Sequence, residues 1–191
     1  TKVVRTCFGV LRQLRSVIRT LPRDVSRQLV QSFVLTHVDY CNVIFVGLPQ
    51  REIARLQAVV NAAARLISGV GKYVHITPVL RDVLHILRIN QRIQFKLCLL
   101  VFKCLHNLAP QYLRDHINLL ANDSSRKRLR SSKTLELSVP HTRTSVGDRA
   151  FRVAGPSAWN SLPLSVQGAK TVATFKQLLK THLFRISYSD V

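Results

Sequence analysis

The sequence holds 191 residues, enough for one sizeable domain or a domain with an appendage, and its 47% hydrophobic content excludes wholesale disorder. Lys and Arg number 29 against 9 Asp and Glu, a formal net charge of +20. A folded chain this basic repels itself unless a polyanion neutralises it, which points first to nucleic acid and second to an anionic membrane surface.

The chain begins at Thr1 and contains no methionine, so it is expected to be a piece of something longer. Arg5, Arg12, Arg15 and Arg19 interrupt any apolar leader near the front. Cys7, Cys41, Cys98 and Cys104 form no CxxC pair, and each falls within a helical apolar pattern. That usage predicts reduced thiols in an intracellular protein.

Taken in order, Val3 to Leu21 has helical period, with Val4, Cys7, Leu11, Leu14, Ile18 and Leu21 on one stripe and Arg12, Arg15 and Arg19 on another. Pro22 and Asp24 suit the first turn of a second helix. Its apolar positions Val25, Leu29, Val30, Phe33, Val34, Val38 and Cys41 run to about Phe45, with Arg23, Arg27 and Gln31 along the other side. Gly47 and Pro49 punctuate the start of a third helix, Gln50 to Ser68, which Gly69 stops. Thr77 and Pro78 predict the N-cap and first turn of a short helix over Val79 to His85. Asn90 is expected to cap the helix that follows, NQRIQFKLCLLVFKCLHNL.

That helix, Asn90 to Leu108, is apolar around most of its circumference, with Arg92, Lys96, Lys103 and His106 confined to one strip. Its unbroken apolar run, Leu97 to Phe102, is far short of the roughly 20 residues a membrane span needs. It reads as a core helix. Pro110 restarts a short amphipathic segment with Tyr112, Leu113 and Ile117.

The character then changes. Residues 122–134 are polar and include Arg126, Lys127, Arg128 and Arg130, a composition that predicts a basic linker. Such a run serves as a solvated loop, a nuclear-import signal or an RNA contact. Leu135 to Val139 alternates like a half-buried strand that Arg143 to Val146 is placed to pair with. A short helix is expected within Gly147 to Trp159, broken at Gly155-Pro156, and a last amphipathic helix over Thr171 to Phe184. The expected organisation is therefore a helical domain over 1–121, a basic linker over 122–134 and a small α+β tail over 135–191.

No catalytic constellation emerges. A polymerase or nuclease needs carboxylates close enough to hold paired divalent metals, whereas Asp39, Asp82, Asp115, Asp123 and Asp148 are scattered, with no DxD or DD. No GxSxG, HExxH or glycine-rich phosphate loop occurs. Cys98, Cys104 and His106 are zinc-ligand types, but their helical spacing spreads them around the axis, and core packing is the expected role of the two cysteines. His37 and His85 are read as structural in the same way. The candidate binding residues are thus cations: Arg12, Arg15 and Arg19, Arg23 and Arg27, Arg92, Lys96 and Lys103, and the linker cluster Arg126, Lys127, Arg128 and Arg130. Hardly any acidic residues alternate with them, and unneutralised rows suit a phosphate backbone, which fixes register without reading sequence.

An ordered series of segments adds a more specific signal: HVDYCNVIFVGLP (37–49), RLQAVVNAAARLISG (55–69), KYVHITPVLRDVLHILRINQRIQFKLCLLVFKCLHNLAPQYL (72–113), GDRAFRVAGPSAWNSLP (147–163) and FKQLLKTHLF (175–184). Together they resemble the region downstream of the polymerase palm in non-LTR (LINE-type) retrotransposon reverse transcriptases of the Jockey superfamily. The resemblance covers nearly the whole chain. It implies a mainly α fold, with helices before about Ile117 resembling the polymerase thumb and the remainder a C-terminal tail. It also implies contact with RNA, RNA–DNA hybrid or DNA, together with upstream palm, fingers and endonuclease domains of the same polyprotein. The expected setting is intracellular and nuclear, with no membrane partner. The palm's Tyr/Phe-x-Asp-Asp motif is absent from this sequence, so no catalytic residue carries over, and Mg is expected only at that palm. Two other readings stand beside this one: a protein-interaction scaffold docking on upstream domains through the WNSLP segment around Trp159 and the final helix, and a relic of a decayed open reading frame. Trp159 is also placed to act as a core anchor for the tail.

Overall fold

A computed structural model describes residues 2–120 and 135–189. The fold is mainly α, as the periodicity predicts, and no strand occurs among the described residues. The chain forms two compact units, one of Thr1–Asn42, Leu48–Arg92 and Ser187–Val191, the other of Val43–Gly47 and Ile93–Ile186. The division falls within the central helix rather than at 122–134, and residues 122–134 lie outside the described residues.

In the first unit, α1 (Lys2–Ile18) turns Val4, Cys7, Leu11 and Ile18 inward and packs on α4 (Gln50–Ser68). Pro49 and Gly69 bound α4 as expected, and Gly69 adopts the left-handed φ of 66° that stops a helix without a Cβ penalty. The core side of α4 carries Ile53, Leu56, Val59, Val60, Ala63, Ala64 and Ile67, and the two alanines keep that face shallow where a neighbour approaches. Between α1 and α4 the expected single helix to Phe45 is replaced by four pieces: α2 (Arg23–Val30), a π-helical stretch Gln31–Leu35, α3 (Thr36–Asp39) and a 3₁₀ turn Asn42–Phe45. Thr36 donates both its backbone N–H and its hydroxyl to the Gln31 carbonyl, closing the wide turn. The wider turn shifts which residues from Gln31 onward face the core. Ser26, Val30, Val34, Leu35 and Val38 are buried, whereas Val25 and Phe33, expected in the stripe, are exposed. Cys41, also expected in it, is exposed at φ 50°, just beyond the end of α3.

The segment expected to be helical over Val79 to His85 is a single π-helical turn, Val79–Val83, with His85 left-handed. The helix after it, α5 (Ile89–Leu105), begins one residue before the expected Asn90 cap. The reason is a tertiary cap. Gln57 Oε1 accepts from the Ile89 N–H at 2.9 Å and Ser187 Oγ accepts from the Arg88 N–H at 3.3 Å, so donors at the head of the helix are met from α4 and from the chain's end. Tyr188 adds to that anchorage, donating its hydroxyl to the Ile86 carbonyl while the Arg88 guanidinium lies over its ring at 5.2 Å.

In the second unit α5 is the core helix expected of it: Leu97, Cys98, Leu99, Val101, Phe102 and Cys104 are buried. Phe102 stacks on Phe175 at 4.2 Å between ring centroids, and Phe175 on Trp159 at 5.8 Å. Trp159 sits on α8 (Phe151–Asn160) and Phe175 on α10 (Val172–Ser187), which Thr171 caps by accepting the Thr174 N–H at 3.2 Å. The short helical turns α6 (Gln111–Arg114), α7 (Ser145–Asp148) and α9 (Leu164–Gln167) belong to the same unit.

Two expectations for the tail are corrected. Helix α8 runs on through Gly155 and Pro156 instead of breaking. Proline removes one backbone donor, but both residues are buried, and a Cβ on Gly155 would lie 3.1 Å from Val101 Cγ2, so the small surface is what the packing requires. The expected strand pairing is also absent. Leu137 makes an isolated antiparallel bridge to Leu119, while Ser145–Asp148 is helical, with the Thr144 hydroxyl accepting from the Gly147 N–H. No helix among the described residues is long and apolar enough to cross a membrane.

Candidate nucleic-acid interface

Helix α1 has no acidic residue, and its burial on one side leaves cations on the other. Arg12, Arg15 and Arg19 are all exposed, as expected, and so is Arg5, which the sequence reading left out of the row. Arg5 and Arg12 stand seven residues apart, about 10 Å along the helix axis, and Arg19 follows one residue beyond the helix end. None of the four makes an ion pair among the described residues.

Arg23 and Arg27 on α2 are exposed as well. Arg27 is partly committed to the fold, because its Nη2 donates to the Leu84 carbonyl at 3.3 Å. Arg92 departs from the expected role. Its Nε donates to Asp39 Oδ1 at 2.8 Å, its Nη2 donates to Oδ2, and its side chain is only 16% exposed. A guanidinium held at both ends by a part-buried carboxylate is a structural cation, not a free one.

In the second unit, Lys96 is exposed and Lys103 half-buried along α5. Arg126, Lys127, Arg128 and Arg130 lie outside the described residues. The sequence reading missed a second cationic surface: α10 also lacks any acidic residue, and it exposes Lys176 and Lys180 one turn apart. The signal that singled out α1, basic residues at helical spacing with no interleaved acid, was present there too.

Ion pairs are sparse. Among the described residues they are Arg55–Glu52 at 3.1 Å, Arg81–Asp82 at 2.7 Å and Arg92–Asp39. The exposed pair Arg81–Asp82 holds the guanidinium above and the carboxyl below their ordinary ranges, mainly through their shared hydrogen bond. Of the other acids, Asp115 accepts from Gln111 and Asp148 from Thr142.

The zinc possibility finds no support in the geometry. Burial pushes the Cys98 thiol up to about 12 and raises that of Cys104, so both are held as neutral thiols in the core, while His106 is exposed with its ring 4.1 Å from that of Phe102. Among the described residues no three His, Cys, Asp or Glu side chains gather where they would hold a metal ion. What the described surface offers chemically is fixed positive charge on helices.

No protein-family model matches this chain, and neither the curated proteins nor the solved structures contain a match to it.

Proposed function

We propose that this chain is the non-catalytic, nucleic-acid-gripping part of a reverse transcriptase, holding the phosphate backbone of RNA, DNA or their hybrid while a palm elsewhere in the polyprotein does the chemistry. The observation that carries the reading is the α1 row: Arg5, Arg12 and Arg15 on a helix with no acidic residue and Arg19 just past its end, all exposed and without carboxylate partners among the described residues. The ordered motif series supplies the polymerase context by resemblance alone. On this reading the chain carries no catalytic residue of its own, and divalent metal belongs to the palm. A nuclear setting follows from the same context.

The scaffold alternative loses its main anchor, because Trp159 is 1% exposed and its indole N–H donates to the Leu135 carbonyl at 2.9 Å. A docking hot spot has to be reachable.

The test is binding of labelled RNA–DNA hybrid, duplex DNA and single-stranded RNA across a salt series. Each phosphate neutralised contributes about 0.9 to the slope of log affinity against log salt on duplex and about 0.7 on single strands. Replacing Arg12, Arg15 and Arg19 with Gln is expected to lower the slope by about 2 to 3. An unchanged slope, or equal affinity for an acidic protein, overturns the proposal.

A further inference from the structure

The connection between α4 and the π-helical turn at Val79 carries the most exposed large apolar side chain among the described residues. Tyr73 is 96% exposed. It sits in the stretch Gly69-Val70-Gly71-Lys72-Tyr73-Val74-His75, and the Val74 N–H bonds to the Gly71 carbonyl at 3.3 Å. That bond closes a four-residue turn with Lys72 and Tyr73 at its two corners, the positions that project farthest from a turn.

Three further features bear on what such a corner is for. The Lys72 ammonium lies 5.8 Å from the Tyr73 ring centroid, so a cation accompanies the aromatic face. Nothing lies within 4 Å of where a Cβ would stand on Gly69 or Gly71, so the backbone flanking the tyrosine is open to a ligand. The loop is also held from below, with Arg65 Nη2 donating to the Val74 carbonyl at 3.4 Å. A tyrosine retained for packing would be covered. One held out on a supported turn, beside a lysine and just after two glycines, has the make-up of a stacking platform, in which a ring takes a base face and a neighbouring cation takes the phosphate.

We infer that Tyr73 and Lys72 form a stacking site for an unpaired nucleotide base, so that the chain engages single-stranded nucleic acid, or the single-stranded extension of a duplex, at this loop. The inference rests on the nucleic-acid-binding reading and deepens it, because the arginine row takes backbone charge whether or not bases are paired. Tyr73 instead discriminates. A base inside a duplex has both faces stacked already, whereas an unpaired base offers one.

The experiment compares the unsubstituted chain with Tyr73→Ala and Tyr73→Phe, using labelled single-stranded RNA and a blunt RNA–DNA hybrid of the same length at one salt concentration. Tyr73→Ala is expected to weaken single-strand binding by about 5- to 140-fold, the range of one lost base–aromatic stack, and to leave the blunt hybrid unchanged. Tyr73→Phe, which keeps the ring, retains single-strand affinity. Because the side chain is exposed, identical thermal unfolding of the variants is expected and confirms that folding is intact. If Tyr73→Ala binds single strands as well as the unsubstituted chain does, or loses affinity equally for both ligands, the stacking site is overturned while the arginine row stands. If the unsubstituted chain binds no nucleic acid at all, both inferences fall together.

Discussion

Asp39 grips the Arg92 guanidinium at both its Nε and Nη2 positions, joining the end of α3 to the first turn of α5 across 53 residues of sequence. The pair decides how one cation is to be counted. Removing one member leaves the other part-buried without its counter-charge, a loss of several kcal/mol when burial is complete and less where water still reaches the pair. Arg92→Gln and Asp39→Asn should each destabilise the chain by about 1–3 kcal/mol in urea unfolding. Arg92→Gln should leave the salt slope of nucleic-acid binding unchanged. A drop in slope without loss of stability would return Arg92 to the binding surface.

The Phe102–Phe175–Trp159 cluster centres the second unit, and all three rings are almost fully buried. Truncating the middle ring in Phe175→Ala creates a cavity that costs about 3–5 kcal/mol, read by chemical denaturation. Trp159 is the only tryptophan, so its emission isolates this site and should shift to the red in the variant even under native conditions.

Thiol chemistry should divide the four cysteines one against three. Cys41 is exposed, whereas Cys7, Cys98 and Cys104 are buried with raised pKa values, Cys98 up to about 12. A thiol-specific reagent at neutral pH should therefore label a single site rapidly and the rest only after denaturant is added. Rapid labelling of Cys98 in the native chain would contradict the packing of α5.

The same burial sets an alkaline limit. Cys98 has a higher pKa folded than unfolded, so its contribution is fully present below the unfolded value near 9.0 and is lost as pH rises from there towards about 12. Cys98→Ala should flatten that loss, once its own packing cost is allowed for, in unfolding measurements repeated across the window.

On the acid side the group to watch is His182. Burial, reinforced by Arg185, lowers its pKa below the ordinary 6.5, so the unfolded chain takes up the proton more readily. Stability is therefore expected to decline as pH falls below about 6.5, through the lowered folded value. His182→Gln should remove part of that decline. An identical acid limb in the variant would assign the effect to other groups.

Much of the helical framework was legible because punctuation and period agreed. Pro49 and Gly69 delimit α4 to the residue, and the polar flanks of Leu97 to Phe102 marked a core helix rather than a membrane span. What failed was decided over long range. No local signal placed a π-helical turn at Gln31–Leu35, and Gln57, not Asn90, meets the head of α5. The alternation over Leu135 to Val139 predicts a strand, yet none forms: Leu137 makes an isolated bridge to Leu119 and bonds to a side chain, and Arg143 to Val146 does not pair with it. For the candidate interface, the α1 row was readable because no acid interrupts it. The capture of Arg92 was not, since its carboxylate lies far away in sequence. Tyr73 belongs to no periodic pattern, so its exposure emerges only from the fold.

The Asn160 side chain both accepts from the Leu137 N–H and donates to the Leu137 carbonyl, each at 2.9 Å, while the Leu120 N–H reaches the Glu136 carbonyl and the Ser138 N–H reaches the Asn118 carbonyl. An amide thus does on one side what a neighbouring strand would do, and the bridge occupies the other. Extended backbone with free polar groups is the template on which chains recruit one another into runaway β-aggregates. At Leu137 that template is already filled, so growth of a foreign strand onto this stretch first requires Asn160 to let go.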